Sequence, residues 1–95
     1  MNLEENDLIN FKNILILKAY IDQSRYRTKV INYLTEHTVA TPTEIAKGTG
    51  IRVNHISKVL KELKDKEVIK CLNEEMKKGR LYYITQLGKE IINIK

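Results

Sequence analysis

The 95-residue chain reads as a mostly α domain with one small β-hairpin near its end, and three observations carry that expectation. Apolar residues recur at helical spacing from Leu8 to Leu63. The string Thr41-Pro42-Thr43-Glu44 joins a capping threonine, a first-turn proline and a glutamate three residues after the cap. After Lys66 the period changes to two short runs of β-branched and aromatic residues around a basic loop. This length supports a single core, and 42% hydrophobic with 31% charged residues, 4 Gly and 1 Pro excludes a disordered, collagen-like or low-complexity chain.

From Asp7 to Asp22, the residues Leu8, Phe11, Ile14, Leu15, Tyr20 and Ile21 fit a helix. The run Ile14-Leu15-Ile16-Leu17 puts apolar side chains nearly all round it, which a lone surface helix does not do. The segment is therefore either buried in the domain or packed on a second copy of the chain. A buried strand would suit so short a run alone, but the surrounding period favours helix. Ser24 is a good cap for a second helix to about His37, with Tyr26, Val30, Ile31 and Leu34 inward.

The helix opened by Thr41 directs Ile45 and Ala46 inward and closes at Gly48 or Gly50, where glycine supplies a left-handed stop. A fourth helix follows at once, from about Val53 to Lys66, with Val53, Ile56, Val59, Leu60 and Leu63 on one stripe. Val68 to Leu72 and Leu81 to Ile84 are the strand candidates, and Asn73 to Arg80 is a polar loop with a basic end. Thr85 caps a last helix from Gln86 to about Asn93, with Leu87, Ile91 and Ile92 available for packing.

Charge divides the chain. Residues 1–23 hold two lysines against four acidic residues, a net of −2, so the total of +5 leaves +7 on residues 24–95. A polyanion-binding surface belongs in that second part, although a solvated lysine-rich face would have the same charge. The single cysteine, Cys71, excludes an intramolecular disulfide framework and reads as a small strand residue in a reducing, cytoplasmic setting. The opening residues Glu4, Glu5 and Asp7 do not resemble the basic start of a signal peptide, and the apolar run Ile14 to Leu17 is far too short to span a bilayer.

Two short helices joined by a tight glycine turn, then a hairpin with a basic tip, form the pattern of a helix-turn-helix with a wing. At 100° per residue, Asn54, His55, Lys58, Lys61, Glu62 and Asp65 face away from the core stripe of the fourth helix. Hydrogen-bonding and cationic groups occupy its first turns and acidic ones its far end, which suits an amino-terminal half that enters a major groove. Asn54 could pair with adenine, and Arg52 or Lys58 with guanine. His55 is a DNA contact or an ordinary surface side chain. Lys77, Lys78 and Arg80 around Gly79 would lie on backbone or the adjacent minor groove. Thr41 and Thr43 could donate to a phosphate, unless the Thr41 hydroxyl is occupied in capping.

The stretch TPTEIAKGTGIRVNHISKVLKELKDKEVIK followed by KKGRLYYITQLGKEI resembles the winged-helix transcriptional regulators of archaea and bacteria, in the broad MarR-like and ArsR-like group. The resemblance covers roughly residues 24–95 and implies a winged helix-turn-helix that binds specific double-stranded DNA as a homodimer. It implies that Arg52, Asn54, His55 and Lys58 occupy recognition-helix positions, and Lys78 and Arg80 wing positions. One departure stands out. Many relatives have glycine between the recognition helix and the wing strand, where this chain has Lys66-Glu67, so the helix either ends differently or accepts a strained cap. The chain also ends soon after Ile94 without the long carboxy-terminal helices that dimerise some relatives.

The expected fold is thus mostly α with a small β-hairpin wing, a winged helix-turn-helix plus an N-terminal helix. Residues 1–23 are the candidate dimerisation element, through Leu8, Phe11 and Leu15. Residues 24–95 are the DNA-binding domain, with a recognition helix at about 53–66 and a wing at about 73–80. The expected function is transcriptional regulation by sequence-specific DNA binding. The competing reading is a winged helix that docks onto a transcription or other complex without specific DNA contact. No phosphate-cradling glycine loop, His-x-x-Glu-His or Cys-x-x-Cys motif supports an enzyme, and His37, His55 and Cys71 are too scattered to suggest a metal or other cofactor. A sensed small molecule would have to use a pocket at the dimer interface.

Overall fold

A computed structural model describes residues 4–94, so the first three residues of the segment 1–23 and the terminal Lys95 lie outside the described part. Five helices and a two-stranded sheet follow in the order α1 (Glu5–Asp22), α2 (Arg25–Glu36), α3 (Pro42–Thr49), α4 (Val53–Asp65), β1 (Ile69–Cys71), β2 (Tyr82–Ile84) and α5 (Gln86–Ile92). The mostly α architecture with a hairpin wing is the one the periodicity predicts.

The caps act as their residue types require. The Ser24 hydroxyl accepts from the Arg27 amide, and that of Thr85 from the Gly88 amide. At α3 the capping box is complete: Thr41 Oγ1 accepts from the Glu44 amide at 3.2 Å, and Glu44 Oε1 accepts from the Thr41 amide at 2.9 Å. Gly50 then closes α3 with φ of +76° and donates its amide to Ala46. Of the two glycines that could have ended this helix, it is the second that does.

α2, α3 and α4 pack around one core in which Leu34, Ile45, Ile56 and Leu63 are fully buried. β1 and β2 run antiparallel, pairing Ile69 with Ile84 and Cys71 with Tyr82, and Ala40 bridges to Tyr82 on the other edge of β2. The two strands are shorter than the β-prone runs. α5 covers the sheet and packs on α1. Gly88 lies so close to the Val68 carbonyl and the Ile84 side chain that a methyl group there would collide with both.

The burial expected of α1 holds for part of it only. Ile21 is buried, with Ile14 and Leu17 packed against the core, whereas Leu8, Ile9, Phe11, Leu15 and Ile16 are exposed. One core therefore extends across residue 23.

Three expected positions differ. Tyr26 leaves the core face of α2, is 40% exposed, and sets its ring 5.5 Å from that of His55. Val53, the first residue of α4, is 50% exposed, because the core stripe starts only one turn later at Ile56. Glu62 turns toward α2 and pairs with Arg27 at 3.2 Å instead of facing solvent. The departure at Lys66-Glu67 is resolved as strain: α4 ends at Asp65, and Glu67 sits at φ of +61°, the one non-glycine residue with positive φ among those described.

Candidate nucleic-acid interface

The buried stripe Ile56, Val59, Leu60 and Leu63 fixes the roll of α4. Asn54, Lys58, Lys61 and Asp65 then stand opposite the core, with His55 and Glu62 on the α2 flank and Ser57 and Lys64 on the wing flank. Asn54, Lys58 and Lys61 are exposed, and among the described residues their side chains make no hydrogen bond or ion pair inside the protein. Arg52, the N-cap of α4, is exposed and makes no side-chain cap bond.

The wing holds its shape through its own polar groups. The Leu72 amide donates to the Leu81 carbonyl at 2.7 Å, one step beyond the strands. Asn73 closes the base of the loop: Oδ1 accepts from the Leu81 amide at 2.8 Å and Nδ2 donates to the Gly79 carbonyl at 3.2 Å. Gly79 turns the chain at φ of +70°. Arg80 folds back across the loop, where Nε donates to the Met76 carbonyl at 2.6 Å and Nη2 to the Glu74 carbonyl at 3.0 Å. Lys77 and Lys78 are left exposed at the tip.

An ion pair between Lys64 and Glu74 ties this loop to α4. It holds the Glu74 carboxyl below, and the Lys64 ammonium above, their ordinary ranges. Between α4 and the wing lies a cleft of about 450 Å³ lined by Ser57, Lys61, Lys64, Asp65 and Arg80, with Pro42 at its α3 end. Cationic groups from two elements thus border one concave surface, with Asp65 among them.

Among the other expected site residues, Thr43 is exposed in the first turn of α3, whereas the Thr41 hydroxyl both accepts from the Glu44 amide and donates to Glu44 Oε1 at 3.0 Å. His55 stands at the edge of the α4 face against Tyr26. Periodicity misses Tyr26 as a neighbour of this surface, since an aromatic residue on a helix normally reads as core. Lys64 could have been found from the helical wheel, and Asn73 from the turn-forming habit of Asn before a polar run. Nothing in the sequence signals that Arg80 points inward.

His37 stacks on Tyr33 with ring centroids 3.9 Å apart, and Cys71 Sγ contacts Asn73 Oδ1 at 3.6 Å. Among the described residues, no group of three or more His, Cys, Asp or Glu is placed to hold a metal ion, and no helix is long and apolar enough to cross a membrane.

A three-helix core, a glycine turn before an exposed helix and a hairpin beside it define a winged-helix fold. Solved structures agree on the fold. RV1404 from Mycobacterium tuberculosis superposes with a TM-score of 0.68 at 14% identity, covering 97% of this chain and 73% of that one. The reduced form of MarR from E. coli gives 0.65 at 23% identity, covering 96% of this chain and 72% of that one. The adhesin competence repressor AdcR from Streptococcus pyogenes gives 0.62 at 24% identity, covering 92% and 66%. No curated protein matches the chain. The family model described as TFIIE alpha subunit matches residues 10–94, and the chain belongs to that family.

Proposed function

We propose that this domain regulates transcription by binding double-stranded DNA with sequence preference, α4 lying in the major groove. The observation that carries the reading is the row Asn54, Lys58 and Lys61, exposed and unengaged within the described part of the protein, beside a shaped wing that holds Lys77 and Lys78 outward. Asn54 is the candidate for adenine, Arg52 or Lys58 for guanine, and His55 for a contact at the edge of the groove. Lys61, Lys77, Lys78 and Thr43 serve phosphates on either side. Structural similarity to a MarR family transcription regulator and to the repressor AdcR supports the reading at the level of the fold.

Residues 1–23 are, in this proposal, the homodimer element through Leu8, Phe11 and Leu15, and residues 24–95 the DNA-binding part. Two copies would set their α4 helices about one DNA turn, ~34 Å, apart on a palindromic site, in the cytoplasm. Selection from a random DNA library tests specificity and symmetry together. The expected result is an enriched inverted repeat. With five candidate cations (Arg52, Lys58, Lys61, Lys77 and Lys78), log affinity should fall with log salt at a slope of up to about −4.5 per subunit. No enriched motif and no salt dependence would refute the proposal.

A second reading has its own support. The matching family is that of a subunit, and α1 exposes five large apolar residues, Leu8, Ile9, Phe11, Leu15 and Ile16. Both features suit a winged helix seated in a multiprotein transcription complex. Stoichiometric capture of one protein partner that survives Lys58→Ala, with no motif from the DNA selection, would favour it.

A further inference from the structure

Arg80 is the cation of the wing that does not face outward. Its guanidinium is stretched across the loop and donates through two separate nitrogens to the carbonyls of Met76 and Glu74, at 2.6 and 3.0 Å. Both carbonyls belong to the stretch that leads directly into the exposed Lys77 and Lys78. The rest of the loop is fastened at its base by Asn73 and at its side by Lys64 on Glu74. On the amino-terminal side of the tip, Arg80 is the side chain that reaches the Glu74 and Met76 carbonyls. A planar fork with several fixed N–H groups can hold two carbonyls at once, whereas a lysine in its place offers one ammonium on a flexible stem and cannot reproduce that span.

We infer that Arg80 is a positioning residue of the wing: it shapes the loop so that Lys77 and Lys78 meet nucleic-acid phosphates, and makes no phosphate contact of its own. This rests on the DNA-binding reading above. It separates two roles that the basic string Lys77-Lys78-Gly79-Arg80 runs together. If Arg80 touched phosphate directly, a lysine there would keep the charge and most of the binding. As a positioning residue it acts through its neighbours, so the charge-conserving change should resemble loss of the lysines themselves.

The test is a double-mutant cycle on the full chain, read as DNA affinity against salt concentration, with DNA from the library selection as ligand. Arg80→Lys should weaken binding about tenfold near 0.15 M salt and lower the salt slope by about 2 units. Lys77→Ala/Lys78→Ala should do the same. Adding Arg80→Lys to that double variant should then change affinity less than twofold. Arg80→Lys with wild-type affinity and slope, or with its full effect retained in the double variant, would overturn the inference.

Backbone 15N relaxation of the free protein gives a readout that needs no DNA. Order parameters at Lys77, Lys78 and Gly79 should drop in Arg80→Lys and not in Lys78→Ala, with the α4 amides unchanged in both. If no variant or wild type binds DNA but the loop loosens as stated, the DNA reading fails and the loop-shaping role of Arg80 stands. If the loop does not loosen, the positioning role is wrong whatever the binding shows.

Discussion

Glu67 occupies left-handed backbone at φ of +61° because α4 must stop and the chain must reverse at once to reach β1. The position is held from two sides: its amide donates to the Lys64 carbonyl at 2.9 Å, and its carbonyl accepts from the Thr85 hydroxyl at 2.8 Å. A side chain in that conformation costs about 1–2 kcal/mol, part of which glycine returns through its looser unfolded state. Glu67→Gly should therefore raise stability by about 0.5–1 kcal/mol in urea unfolding, with an unchanged m-value. Gly88 presents the opposite case. Its missing Cβ makes room for the Val68 carbonyl, and backbone cannot step aside as a side-chain tip can, so Gly88→Ala should cost about 1–3 kcal/mol. The sequence marked Lys66-Glu67 as an irregular helix end. It did not mark Gly88, because a glycine inside a short helix looks like a propensity defect until the neighbouring strand is placed against it.

At the scale of single elements, α3 was the most legible, since its start signal consists of local bonds between residues three apart. Thr41→Ala should lower stability by about 1 kcal/mol. The bonds that the Glu44 carboxylate accepts from Thr41, the backbone amide first and the hydroxyl second, hold it below its ordinary value of 4.5. The sign follows: its contribution is complete above that value and is lost as the pH falls through the depressed one. Stability of the wild type should drop more steeply than that of Glu44→Gln below about pH 4.5, and parallel curves would contradict this. The wing was legible only as an outline. Strand-forming residues and a basic tip mark a hairpin, but whether a given cation points out or in depends on carbonyls that the folded loop alone brings together. Tyr26 and Val53 were misplaced for a related reason. A helical wheel ranks residues by angle, and at the first turn of a helix the neighbour that would bury them has not yet begun.

Across the whole molecule, burial changes along α1. Its last turns belong to the core, and its first turns leave Leu8 and Phe11 more than half exposed along a body 48 Å in its longest dimension. If that end dimerises, Phe11→Glu should turn a dimer into a monomer in sedimentation at micromolar concentration while leaving the unfolding free energy of the subunit within about 0.5 kcal/mol, because the side chain makes no core contact. A wild-type protein that is already monomeric would remove the dimer and leave the end of α1 to another partner. The Arg27 guanidinium stacks 3.8 Å from the Tyr20 ring, donates to the Tyr20 carbonyl at 2.8 Å, and pairs with Glu62 on α4. One side chain of α2 is thus fastened to both α1 and α4. It works as a tie rod: a partner that rolls α1 must drag Arg27 with it, and the far end of α4 either follows or loses its brace.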